Sequence, residues 1–139
     1  MSDQASPLAA ERVRQLVERY YEAVRSLDAE RYAAGFAEHG TLEDPVGLPA
    51  AAGRSSVQER YQPATAMFSA IKMYPHDVFA PEGTGEAAVR WGARLIFKET
   101  GIKVDEFFGI TYFKFNPAGL IESARVFWNP ADIEARALP

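Results

Sequence analysis

The apolar residues of this chain change period partway along it, and that change restricts the fold more than any other feature. Val13, Leu16, Val17, Tyr20, Val24 and Leu27 follow one another at spacings of three or four, with one adjacent pair. That is the stripe of an amphipathic helix. From residue 86 the period is two: Val89, Trp91, Ala93, Leu95 and Phe97 alternate with positions that include Arg90, Arg94 and Lys98. A strand with one buried face reads this way. Helices first and a meandering antiparallel sheet after them make an α+β fold, with helices covering one face of the sheet.

Turn and cap signals divide the chain further. Ser6-Pro7 predicts the start of the first helix, which runs to about Leu27. Asp28 caps a shorter second helix through "AERYAAGFAEHG", closed by Gly40. "TLEDP" reads as a short strand and "VGLPAAAG" as a loop. "RSSVQERYQPATAMFSA" starts as a third helix, which Pro63 ends or kinks because it has no N–H to donate. "IKMYPHDVFAPEG" is a strand interrupted by Pro75; "VDEFFGITYFKFN" and "LIESARVFW" are two more, joined by an "NPAG" turn at 116–119. "NPADIEARALP" predicts a terminal helical turn.

Length and composition exclude several classes. The 139 residues suit one domain, 1–139, with no internal repeat or linker. Without cysteine there is neither a disulfide nor thiolate chemistry, and a cytoplasmic protein is expected. The first residues carry no signal-like apolar run, and no stretch is long enough to span a bilayer. Net charge is −4 with the signs interspersed, so neither nucleic acid nor an anionic membrane is an expected partner. His39 and His76 are far apart with no ligand-like spacing, so no metal is expected. No phosphate loop, Gly-x-Ser-x-Gly or dinucleotide fingerprint occurs, and no cofactor is expected. Nine Phe, six Tyr and two Trp leave enough apolar surface for a core and a pocket.

The stretch "TLEDPVG", residues 41–47, carries the chemistry. If Leu42 faces the core, strand parity turns Asp44 inward and Glu43 outward. An inward carboxylate must be paired, protonated or useful. By pattern alone Tyr20 and Tyr61 are core tyrosines, and Asp44 is a turn former before proline.

"RYYEAVRSLDAERYAAGFAEHGTLEDPVG", together with "NPAGLIESARVFWNP", resembles the ketosteroid isomerase-like proteins of the nuclear-transport-factor-2-like (SnoaL-like) superfamily, from about residue 12 to about 133. The resemblance implies a cone-shaped, curved mixed or antiparallel sheet, wrapped with three N-terminal helices around a deep apolar cavity, and a homodimer formed through the outer sheet face. It makes Asp44 the general base and Tyr20, 24 positions earlier, the oxyanion-stabilising donor. Tyr61, 17 positions after Asp44, matches a supporting tyrosine, another family tyrosine is Phe36, and Trp128 matches the aromatic flanking the base. Where strongly active members carry a second acidic donor, this chain has Thr111.

Parity on the strands then predicts the walls. Thr111, Phe113 and Phe115 share one face, Ala124, Val126 and Trp128 line the neighbouring strand, and Trp91 is a further wall aromatic. Met67, Phe68 and Met73 are expected at the mouth. The expectation is a cofactor-free acid/base isomerase on a hydrophobic carbonyl compound of the steroid Δ5-3-ketone type, weakened by Thr111. Two alternatives stand beside it. One is a polyketide-type cyclase or epoxide-opening enzyme, for which Glu122 and Asp105 are the candidates for a second carboxyl. The other is a non-catalytic binding protein for steroid-like or other small hydrophobic ligands.

Overall fold

The helical stripe forms α1 (Ala10–Arg25) in the computed structural model, which describes residues 8–138. Val13, Leu16, Val17, Tyr20 and Val24 are buried, and so is Tyr21, which the stripe leaves out. The expected Ser6-Pro7 start lies outside the described residues. Asp28 caps α2 (Ala29–Ala34), its Oδ1 accepting from the Arg31 N–H at 3.0 Å. Gly35 closes α2, so this helix is shorter than expected: the following residues, up to Gly40 and beyond, belong to β1 (Phe36–Glu43). The loop that follows contains a two-residue strand, β2 (Ala51–Ala52), and then α3 (Arg54–Met67). Pro63 does not end α3. It forfeits a backbone hydrogen bond, and the helix continues to Met67.

The second half is the expected run of strands: β3 (Phe68–Phe79), β4 (Glu86–Phe97), β5 (Lys103–Phe115) and β6 (Ile121–Phe127), closed by a short α4 (Ala131–Ala135). Pro75 leaves β3 unbroken and is followed by an irregularity before Asp77. β3 is an edge strand, where a missing N–H is tolerated. The "NPAG" turn closes with the Gly119 N–H donating to the Asn116 carbonyl at 2.8 Å, and Gly119 takes the positive φ of 86° that the turn requires.

The six strands form one open, curled sheet in the order β2-β1-β6-β5-β4-β3. Every pairing is antiparallel except β1 with β6, which is parallel. This parallel contact explains the lost half of α2. Gly40 lies so close to β6 that a Cβ there would stand 2.5 Å from the Ile121 carbonyl oxygen. α1 packs along β3, and α2 packs on α3, which lies over β1. The core fills the space between these helices and the inner sheet face, where Ala87, Val89, Trp91, Ala93 and Leu95 of β4 alternate inward.

Two bulges overturn part of the parity reading. Between Ala93 and Leu95 of β4 the register with β5 shifts, so Phe107 and Val104 are both inward and Asp105 is left exposed, paired with Arg94 at 3.8 Å. A second shift opposite Lys114 and Phe115 brings Ile121 inward and leaves Glu122 exposed, 3.8 Å from the Lys114 ammonium. Neither carboxylate belongs to the cavity, because one extra residue in a strand moves the following side chains to the other face.

Candidate active site

A cavity of about 280 Å³ opens between the helices and the inner sheet face. Its wall is mostly apolar and holds two charged residues, Asp44 and Arg60. Asp44 follows the last residue of β1 and continues its alternation. Leu42 is buried, and Glu43 turns out to an ion pair with Arg125. The Asp44–Pro45 peptide is cis. Trp128, just beyond β6, donates its indole N–H to Asp44 Oδ1 at 2.6 Å. Burial raises the Asp44 pKa above the ordinary carboxylate value, while the Trp128 hydrogen bond and the Arg60 charge pull the other way. A carboxyl so placed both takes and keeps a proton more readily than one in water.

Across the cavity wall two phenols form a pair. The Tyr20 and Tyr32 oxygens are 2.9 Å apart and buried. Burial, first of all, holds both pKa values well above the ordinary tyrosine value, and the negative charge of Asp44 adds to it in each case. Both rings therefore stay protonated at ordinary pH. One hydrogen occupies the shared bond, which leaves one O–H for an oxygen arriving in the cavity. Buried donors waiting at one spot are the arrangement that stabilises developing negative charge.

Tyr61, the supporting tyrosine of the resemblance, makes no hydrogen bond to Tyr20. Its ring stacks on Tyr32, with centroids 4.4 Å apart and planes 13° off parallel. Its O–H donates to the Val24 carbonyl at 2.6 Å, and burial pushes the phenol up to about 12. The ring lines the cavity, but the hydroxyl is used to tie α3 to α1. The phenol that meets Tyr20 comes instead from Tyr32, four residues before Phe36. Phe36 is fully buried and packs against Tyr32 at 5.5 Å, away from the cavity.

Met67, Phe68, Trp91, Val126 and Trp128 line the cavity, with Met67 half-exposed at its rim. Met73 also reaches it. Thr111, Phe113 and Ala124 do not. Thr111 is fully buried, and its Oγ1 accepts from the Trp91 indole N–H at 2.9 Å. Phe113 meets the Tyr20 ring edge-on at 4.8 Å and pairs in register with Ala124, so both stand one layer behind the wall. Parity assigns a face but not a depth, and α1 covers this part of the sheet. Sequence reasoning missed Tyr32 and Arg60. Tyr32 carried a readable signal: it lies on the buried face of a helix capped by Asp28, beside Ala29 and Ala33. Arg60 carried none, since an arginine on a covering helix reads as solvated. Among the described residues there is no group of three or more His, Cys, Asp or Glu able to hold a metal, and no helix long and apolar enough to cross a membrane.

The model of the SnoaL-like domain matches residues 17–124. Over 124 residues the chain is 31% identical to a steroid Δ-isomerase of Nocardioides simplex, spanning 87% of this chain and 93% of that protein. Among solved structures, SalBIII, an epoxide hydrolase/cyclase-like enzyme in pyran ring formation in the polyether salinomycin, is similar with a TM-score of 0.76 at 25% identity, covering 88% of this chain and 94% of that one. With the match running from the middle of α1 into β6, on an α+β fold of nuclear-transport-factor-2-like architecture, the chain belongs to the SnoaL-like domain family.

Proposed function

We propose that this protein is a cofactor-free acid/base enzyme that shifts a double bond in a hydrophobic carbonyl compound of the steroid Δ5-3-ketone type. The observation that carries the reading is one carboxyl of raised pKa and one hydrogen-bonded phenol pair on the wall of the same apolar cavity. The substrate's carbonyl oxygen accepts the spare O–H of the Tyr20–Tyr32 pair. Asp44 removes a proton from the carbon between the carbonyl and the double bond, and the electron pair moves onto oxygen as a dienolate. Asp44 then returns the same proton to the far end of the former double bond, so that nothing is gained or lost overall. Trp128 orients the carboxylate through the hydrogen bond to Oδ1. Thr111 supplies no second donor, because its side chain is buried outside the cavity beneath Trp91. An enzyme lacking one donor of this kind is slower by about 10²–10³.

The test is conversion of a Δ5-3-ketosteroid to its conjugated isomer, followed by ultraviolet absorbance. Asp44→Asn is expected to lower the rate by about 10²–10⁴, and Tyr20→Phe to lower it as well. Unchanged turnover in Asp44→Asn removes Asp44 as the base. If neither variant affects binding of a phenolic steroid, the protein is a plain container for apolar ligands. The likeness to SalBIII favours ring closure or epoxide opening as the second reading. It has one carboxylate in the cavity to work with, since Asp105 and Glu122 are exposed and ion-paired. Product analysis by mass spectrometry with an epoxide in place of the enone separates the two reactions.

The same reading includes a homodimer. Phe108, Ile110 and Tyr112 of β5 and Phe127 of β6 are exposed on the outer sheet face, with Ile110 and Phe127 facing each other in register. A second copy of this chain is the proposed occupant of that face.

A further inference from the structure

Arg60 lines the cavity and has no task in the double-bond shift. Its guanidinium is half engaged. Nη2 donates to the Pro49 carbonyl at 2.7 Å, which ties the loop after Asp44 to α3, whereas Nη1 is buried with no hydrogen-bond partner among the described residues. Asp44 does not supply that partner: its Oδ1 accepts from Trp128, and among the described residues the two side chains form no ion pair. Arg60 is only part-buried, but an Nη1 group shut off from solvent without an acceptor is unfavourable. Among the described residues it is, beside Asp44, the one charged group of the cavity. A planar guanidinium with an unused N–H is suited to an oxygen anion, a carboxylate above all.

We propose that the substrate carries a carboxylate in addition to its carbonyl group, and that Arg60 binds this carboxylate through Nη1. The inference rests on the carbonyl-binding reading of the cavity and names the substrate class: an apolar keto acid rather than a neutral ketone. Two anchors then hold the molecule, the phenol pair on its carbonyl oxygen and Arg60 on its carboxylate, with Asp44 on the same wall. Binding also has a chemical consequence. A carboxylate at Arg60 offsets the positive charge that otherwise favours ionised Asp44, so the bound acid makes Asp44 a stronger base.

The experiment compares two fluorescent probes built on one naphthalene ring, 2-naphthol and 2-naphthoate, titrated at about pH 7 against the wild type and against Arg60→Met, Arg60→Lys and Arg60→Gln. The wild type is expected to bind both. Arg60→Met is expected to lower the ratio of naphthoate to naphthol affinity by about tenfold or more, the scale of a lost hydrogen bond to a charged group. Arg60→Lys should keep part of that ratio. A ratio that stays within about twofold, or a wild type that does not bind naphthoate, overturns the assignment. Should Arg60→Met fail to fold in a thermal melt, Arg60→Gln, which keeps a polar stem without charge, reads out the same ratio. Failure of the isomerase reading is seen separately. Naphthol binding indifferent to Tyr20→Phe and Tyr32→Phe combined counts against the phenol pair, whatever the naphthoate ratio does.

Discussion

Asp44 couples the chemistry of the cavity to the stability of the fold. In the unfolded chain its carboxyl ionises at the ordinary carboxylate value, whereas in the fold burial delays ionisation to higher pH. Below the unfolded value both states are protonated and the side chain's contribution is fully present; as pH rises through the folded value that contribution is lost. Asp44→Asn keeps an acceptor for Trp128 and carries no charge. It is therefore expected to melt at a higher temperature than the wild type at about pH 7, with the difference shrinking toward about pH 3. Thermal melts across that range check the sign, and a wild type equally stable relative to the variant at every pH contradicts it. The same residue was legible in the sequence, because strand parity and the following proline place it at an inward strand end. Thr111 was read to the right face but not the right depth, since only the packed structure shows Trp91 donating to it. The Tyr20–Tyr32 hydrogen bond was not readable, as it joins two helices whose relative placement no local pattern carries.

At the level of elements, β4 and β5 hold the wall in place through close contact at glycine. Gly109 pairs in register with Trp91, and a Cβ there would stand 2.1 Å from the Trp91 ring and 2.6 Å from the Phe127 carbonyl oxygen. Neither neighbour can swing aside, because the indole is fully buried and the carbonyl is backbone. Gly109→Ala is expected to cost about 1–3 kcal/mol in urea denaturation and to weaken naphthol binding by displacing Trp91. Gly92→Ala provides the contrast: its Cβ would meet the Glu106 carboxylate at 2.3 Å and the His76 ring at 2.4 Å, both ends of partly exposed side chains that can move. Its loss should be clearly the smaller, and equal losses would show that crowding at Trp91 is not the cause. Periodicity was sufficient to find α1, β4, β5 and β6 as elements, but past the two bulges it did not give the faces of Asp105 and Glu122. A single proline did not end either α3 or β3. Pro63 stays inside α3 and Pro75 inside β3, because packing of the helix and the edge position of the strand outweigh one missing donor.

At the scale of the whole molecule, the outer sheet face exposes Phe108, Ile110, Tyr112 and Phe127. Ile110→Glu places a charge among Phe108, Tyr112 and Phe127, and burying it between two copies is unfavourable. Sedimentation is expected to show a dimer for the wild type and a monomer for the variant, with the cavity's affinity for naphthol kept. A monomeric wild type removes the proposed interface. The sequence by itself determined the class of fold, helices covering a sheet, and the inward direction of Asp44 and Tyr20, because periods of 3.6 and 2 are properties of local backbone geometry. Tertiary structure alone decided which inward residues reach the cavity, which phenol meets Tyr20, that Asp105 and Glu122 face outward, and that Arg60 lies in the wall. Those outcomes depend on bulges, helix placement and layer depth, each set by contacts between residues far apart in the chain.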